Sequence, residues 1–261
     1  MDFQGLATPL SPQCLNHIAS TLDTELPAIW AVLSVETAGS GYLSDRRPKI
    51  LFERHKFHQF TQGQFDSVAP DLSQVTAGGY GEDGANQYDR LERAMALDET
   101  AALNSASWGL AQIMGFNADK VGFADVREMI TAFTDSEDQQ IGAMAAFITQ
   151  SGLGNALRSG DWATFASGYN GPNFQQDGYD NKLAVFHARY EVGPLPDLLV
   201  RGVQMALIFI GVQGVGGVDG WFGKNTQNAL LKFQEDERLA PSGKPDDATV
   251  AALMQRAGWQ V

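Results

Sequence analysis

Leu26-Pro27-Ala28-Ile29-Trp30-Ala31-Val32-Leu33-Ser34-Val35-Glu36-Thr37-Ala38-Gly39 is the stretch around which the rest of the chain is organised. Pro27 suits the first turn of a helix, and Gly39 and Gly41 suit its end. Between them Ile29, Val32, Leu33 and Glu36 stand at i, i+3, i+4 and i+7, so one helical face carries three apolar side chains and a carboxylate. Burial disfavours the charged form of that carboxylate, and the C-terminal pole of a helix is the wrong end for an anion. Both effects raise its pKa. A carboxylic acid that keeps its proton near neutrality can give it to a leaving group. The alternative is a Glu36 at the edge of the stripe, meeting solvent or pairing with Arg46 or Arg47.

The totals bound what such an acid serves. The chain has 261 residues, 44% hydrophobic and 19% charged, which fits a globular protein of one large or two smaller domains. Its net charge of -13 argues against nucleic acid and anionic membrane surfaces as partners, since both call for basic patches. The single cysteine, Cys14, excludes an intrachain disulfide framework and reads as a small buried hydrophobe. Met1 to Gly5 lack a basic region followed by an apolar run, so synthesis in a cytoplasm without a secretory signal is expected. The longest apolar stretch, Val203 to Val212, is too short to span a bilayer, so no membrane insertion is expected.

Outward from Glu36, a first helix is predicted around Gln13 to Leu22, with Asp23 or Thr24 available to cap the next. Lys49 to Phe57 reads as a short strand running into a helix. Residues 61–85, rich in Gly, Ser, Asp and Gln, read as an irregular loop region. Helices are predicted over Tyr88–Leu97, Ala124–Phe133, Glu137–Ser151, Trp162–Tyr169 and Lys182–Tyr190. In the third of these, Gly142, Ala143, Ala145 and Ala146 would permit close packing. Leu103 to Gly115 opens with capping residues and continues apolar.

Gly193-Pro194-Leu195-Pro196 is the best linker candidate, and predicts domains at 1–193 and 197–261. Charge supports a boundary there, because residues 197–261 carry seven acidic and six basic side chains and so hold almost none of the net charge. The tail predicts three short helices, Leu198–Leu207, Asn225–Glu235 and Asp247–Arg256, a bundle near the lower size limit for independent folding.

Several chemistries find no support. The glycine-rich loop 214–223 contains no phosphate-binding fingerprint, and its glycines fit turns that need positive φ. Glu53, His55 and His58 are metal ligands by type, but their spacing matches no zinc pattern, and no metal or organic cofactor is expected. No nucleophile elbow is present, and Cys14 has no local signature of a catalytic thiol.

Three stretches take meaning from their order: Glu36 at a helix end, Ser107-Trp108-Gly109-Leu110-Ala111-Gln112-Ile113, and Gly168-Tyr169-Asn170-Gly171. Together they resemble the lysozyme superfamily, especially goose-type lysozymes and soluble lytic transglycosylases. With Phe52-Glu53-Arg54-His55, residues 1–190 look most like the N-acetylmuramidase domain of phage endolysins. The tail resembles the three-helix peptidoglycan-binding domain of cell-wall hydrolases, on Val203-Gln204 with Leu207, on Asp219-Gly220-Trp221-Phe222-Gly223-Lys224-Asn225-Thr226, and on Ala229-Leu230 with Phe233-Gln234. The second Asp-Gly repeat usual in that family is degraded here to Ser242-Gly243-Lys244-Pro245 followed by Asp246 to Thr249.

The resemblance implies a mainly α fold: a lysozyme-like α+β catalytic domain with a small β element, followed by a small three-helix bundle. It implies cleavage of the β-1,4 bond between N-acetylmuramic acid and N-acetylglucosamine, with Glu36 as acid and Glu53, in preference to Asp45, as the second group. It implies that Tyr169 and Asn170 bind sugar and orient Glu36, and that Gln112 offers its backbone or amide to an N-acetyl group. Trp108 is read as core before sugar platform. Asp219, Trp221 and Phe222 are the expected cell-wall contacts. A monomer acting on peptidoglycan after release by a holin-type protein follows from the same likeness. A lytic transglycosylase, a chitinase and a non-catalytic wall-binding phage protein are the competing expectations.

Overall fold

The computed structural model describes residues 3–36, 39–171, 174–176 and 178–259, without the side chain of residue 176. Thr37 and Ala38 of the opening stretch, and Pro172 beyond the Tyr-Asn-Gly segment, lie outside the described residues. The chain is mainly helical with one small sheet.

Helix α1 (Pro12–Leu22) begins where the Ser11 side chain accepts from the backbone N–H of Cys14, with Pro12 in its first turn. It ends at Asp23 in the left-handed conformation, so Asp23 closes α1 instead of opening α2. Helix α2 (Leu26–Glu36) is buried over Ala28 to Leu33 without a break. The expected single apolar stripe is thus too narrow a description: a helix apolar on every side is a central one, and α2 lies among packed neighbours.

Strand β1 (Ile50–Phe52) leads through Glu53 into α3 (Arg54–Thr61). After the irregular segment come α4 (Asn86–Met95) and α5 (Glu99–Asn104). The apolar stretch after Leu103 then folds as a hairpin, β2 (Ala106–Trp108) and β3 (Ile113–Met114). The three strands form an antiparallel sheet in the order β1-β2-β3, with Ile50 opposite Trp108 and Ser107 opposite Met114. Trp108 is fully buried, stacked on Phe3 at 5.7 Å between ring centroids, so it is core and not a sugar platform.

Helices α6 (Val126–Asp135), α7 (Glu137–Gln150), α8 (Gly154–Ser159), α9 (Trp162–Asn170) and α10 (Tyr179–Val192) complete the first core. α10 runs along α2, and a hydrogen bond of 2.8 Å joins Ser34 Oγ to Tyr190 Oη across the pair. Ala143 and Ala145 of α7 are buried as expected, but Gly142 is exposed with open space around it and serves no close approach.

Helices α11 (Leu198–Phe209), α12 (Lys224–Asp236) and α13 (Asp247–Arg256) enclose a second core of Val203, Leu207, Leu230, Phe233 and Leu253. Ala7 and Tyr42, distant in sequence, are buried in that same cluster. Two glutamine amides organise the bundle's loops. Gln204 Oε1 accepts from the N–H groups of Asp219 and Gly220, while its Nε2 reaches Asp219 Oδ1, Trp221 O and Thr226 Oγ1. Gln234 repeats the device one loop later: its Oε1 accepts from Gly243 N–H, and its Nε2 reaches Ser242 Oγ, Lys244 O and Thr249 Oγ1. The degraded repeat therefore keeps its glycine at φ +64° and its threonine, while Ser242 takes the place of the aspartate.

Candidate active site

Glu36 is the last residue of α2 and lies half-buried on the wall of a cleft of about 560 Å³. Burial pushes its carboxyl up to about 7, and a hydrogen bond from Asn170 draws it partly back. That bond runs 2.9 Å from Asn170 Nδ2 to Glu36 Oε1. The arginines offered as alternative partners are engaged elsewhere. Arg47 pairs with Asp45 at 2.7 Å, and Arg46 donates to the carbonyl of Ala257 at 2.7 Å.

Asn170 and Tyr169 end α9, whose cap Asp161 accepts from Thr164 N–H. The Tyr169 ring stacks on Phe165 and meets Phe147 edge-on, each at 5.4 Å. Its hydroxyl donates to Ala111 O at 3.1 Å, tying α9 to the hairpin turn. Burial, and after it the charge of Glu36, raises the Tyr169 phenol far above its ordinary value and keeps it neutral. Asn170 Oδ1 is buried without a hydrogen-bond partner among the described residues.

The hairpin contributes Ser107, Gln112 and Met114 to the cleft lining. Gln112 stands in the left-handed region at φ +49°, unusual outside glycine. Its Oε1 accepts from Ser107 Oγ at 2.8 Å, and its Nε2 donates to Gly109 O at 2.8 Å and Lys49 O at 3.4 Å. Its main-chain N–H is also spent, on Gly109 O at 3.3 Å. The donors expected to reach an N-acetyl group are thus used inside the hairpin, and Gln112 lines the cleft by shaping it. Neither is it a helical residue facing solvent.

Glu53 lines the same cleft from the end of β1. Its Oε2 lies 3.0 Å from His55 Nδ1, and Tyr80 hydrogen-bonds its carboxylate. Burial pushes its pKa up, while His55, Tyr80 and Lys56 favour the charged form. Asp45 stands apart, its side chain 40% exposed and paired with Arg47. His58 pairs with Asp66 at 2.8 Å. Among the described residues no group of three or more His, Cys, Asp or Glu is placed to hold a metal ion.

Lys49, Asp83 and Tyr179 also line the cleft, and sequence reasoning missed them. Burial pushes the Lys49 amine below its usual value. α7 holds the hairpin turn and the segment at Gly41 through two side chains one turn apart. Gln140 Oε1 accepts from Leu110 N–H at 2.6 Å and its Nε2 donates to Phe133 O at 2.9 Å. Glu137, fully buried, accepts from Gly41 N–H at 2.9 Å and from Leu10 N–H at 3.0 Å. Glu137 pairs in turn with Arg201 of α11. One signal for that pair was in the sequence: Arg201 is the only charged residue in the apolar run Leu198–Phe209, and a charge there needs a partner.

Of the expected contacts in the bundle, Asp219 is bound into its own loop, accepting at Oδ1 from Trp221 N–H and Gln204 Nε2. Trp221 is half-buried under the Arg189 guanidinium at 5.2 Å, and Phe222 is 45% exposed.

The family model described as N-acetylmuramidase matches residues 25–191, and one described as a peptidoglycan binding domain matches residues 197–253. The chain is similar to the crystal structure of a Burkholderia AP3 phage endolysin, at 38% identity and a TM-score of 0.64, over 70% of this chain and 70% of that one. No curated protein matches it.

Proposed function

The chain belongs to the N-acetylmuramidase family and carries a peptidoglycan-binding domain, and we propose that it cuts its substrate with Glu36 as proton donor. It is a peptidoglycan muramidase of the lytic endolysin kind, a glycoside hydrolase of the β-1,4 bond between N-acetylmuramic acid and N-acetylglucosamine.

The observation that carries the assignment is the half-buried Glu36 carboxyl, held near 7 in the cleft with one oxygen fixed by Asn170. The oxygen that Asn170 leaves free carries the proton to the glycosidic oxygen. As the bond breaks, positive charge grows on the anomeric carbon and Glu36 becomes a carboxylate. A hydrogen bond to a charged acceptor is stronger than one to a neutral acid, so the Asn170 contact tightens as the reaction proceeds. Tyr169 acts indirectly, holding the end of α9 against the hairpin. We assign to Glu53 the second role, facing the developing charge and the water that follows, because it lines the same cleft as Glu36, where burial raises its pKa and His55, Tyr80 and Lys56 offset part of that rise. Asn170 Oδ1 is assigned to a substrate N–H or O–H, and Phe222 and Trp221 to the wall.

Purified sacculi treated with wild type and with Glu36→Gln test this reading. The wild type should release muropeptides with reducing muramic ends, and the variant none that mass spectrometry detects. Anhydro ends, or unimpaired release by the variant, would overturn it. Glu53→Gln should lower turnover by about 100-fold, the scale of general acid–base contributions, and a fully active Glu53→Gln would leave Glu36 working alone. We further assign monomeric action on peptidoglycan, without nucleic acid or membrane insertion, and access to the wall through a separate holin-type protein. The acidic net charge of -13 supports the exclusion of polyanions. Among the described residues no single helix is long and apolar enough to cross a membrane.

A further inference from the structure

We propose that Arg201, carried by the wall-binding domain, is a positioning residue for the catalytic acid, so that this domain completes the active site as well as tethering it. The proposal rests on the reading of Glu36 as that acid. Gly39 follows Glu36 by three residues, and the Arg201 Nη2 donates to its carbonyl at 2.7 Å. The same guanidinium grips Glu137: Nη2 donates to Oε1 at 3.0 Å, and Nη1 donates to Oε2. Glu137 then accepts from Gly41 N–H, so Gly39 and Gly41 are held through one bidentate pair. Exposure of the two side chains is 4% and 0%, which places the pair out of reach of solvent screening.

The next residue is held from the same side. Tyr42 packs edge-on against Phe209 of α11 at 6.3 Å and donates its hydroxyl to Phe133 O at 2.9 Å. Gly39 itself, at φ +115°, abuts the backbone of Val218, and a Cβ there would lie 3.3 Å from Val218 N. Gly39 and Tyr42 thus rest in part on Arg201, Phe209 and Val218 of the wall-binding domain, and a side chain at a helix end is only as fixed as the backbone anchored beyond it.

Arg201 could serve stability alone, and the test must separate the two roles. Two full-length variants are compared with wild type on soluble, peptide-free oligomers of alternating N-acetylglucosamine and N-acetylmuramic acid, for which affinity for sacculi is irrelevant. Arg201→Lys keeps a charge for Glu137, but one ammonium cannot span Glu137 and Gly39 as the guanidinium fork does. The double variant Glu137→Gln with Arg201→Met leaves no unpaired buried charge, so it stays foldable where a single truncation would not. Both should melt as folded proteins and lower kcat by roughly 10-fold or more, in line with the cost of a small misplacement of a reacting group. KM should change by less than about 3-fold. If folded variants keep wild-type kcat, the proposal is overturned. A Glu36→Gln control on the same oligomers keeps the two readings apart: its inactivity upholds the acid assignment whatever the Arg201 variants do, and its activity removes that assignment.

Discussion

A carboxyl that titrates near 7 in the fold and near 4.5 when unfolded makes opposite demands on catalysis and stability. The proton held at Glu36 is what the reaction uses, so kcat should fall as pH rises through about 7. The folded state binds that proton more tightly than the unfolded chain does. Stability from this group is therefore fully present below the unfolded value and lost as pH rises through the folded one. Glu36→Gln should be more stable than wild type at pH 8 by about 1–3 kcal/mol and indistinguishable from it at pH 4, by urea unfolding at both pH values. Asn170→Ala removes the donor that favours the anion. The basic limb of the kcat profile should move to higher pH while kcat drops about 10- to 100-fold. An unmoved limb would deny the contact a role in titration. Helix phase marked Glu36 as a carboxylate on an apolar face but left a solvent-facing or arginine-paired side chain open. Asn170 entered only through the resemblance, because its partner lies 134 residues away and Asn-Gly also reads as ordinary turn chemistry.

At the scale of elements, the cleft depends on glycines that let α7 approach. A Cβ on Gly109 would stand 2.6 Å from Gln140 Cδ, and the residue sits at φ +71°. Gly109→Ala should cost about 2–4 kcal/mol, combining backbone strain with a clash, and should lower kcat through the shifted hairpin. Gly122, at φ +98° with open space around it, carries only the first of these costs, and Gly122→Ala should lose about 1 kcal/mol with activity intact. Gly142, exposed within α7, should gain up to about 1 kcal/mol on replacement by alanine, by thermal unfolding. The longer helices were legible because caps and apolar spacing mark them locally, as Asp125 and Ser136 mark α6 and α7, while α5 and α8, six residues each, were too short to be read. The strands were harder to see: β2 has three residues and β3 two, too few for alternation to declare itself. Ala106 to Trp108 is buried throughout, so its sequence looks like any apolar run.

Across the whole molecule, contacts far apart in sequence join the two cores. Arg46 donates to Ala257 O across 211 positions, Trp259 Nε1 to Leu6 O across 253, and Arg201 to Glu137 across 64. The full chain should therefore unfold in one calorimetric transition, and two resolved transitions would contradict that coupling. The linker Gly193 to Pro196 and the near-neutral tail suggested two modules, and Arg201, alone in its apolar run, asked for a partner, but nothing local named Glu137 as that partner. An incoming wall-binding module must bring a guanidinium to the place of Arg201, or the recipient must surrender Glu137 in the same event. Either half alone strands a buried ion, so the junction at residue 193 divides the sequence but not the charge pair.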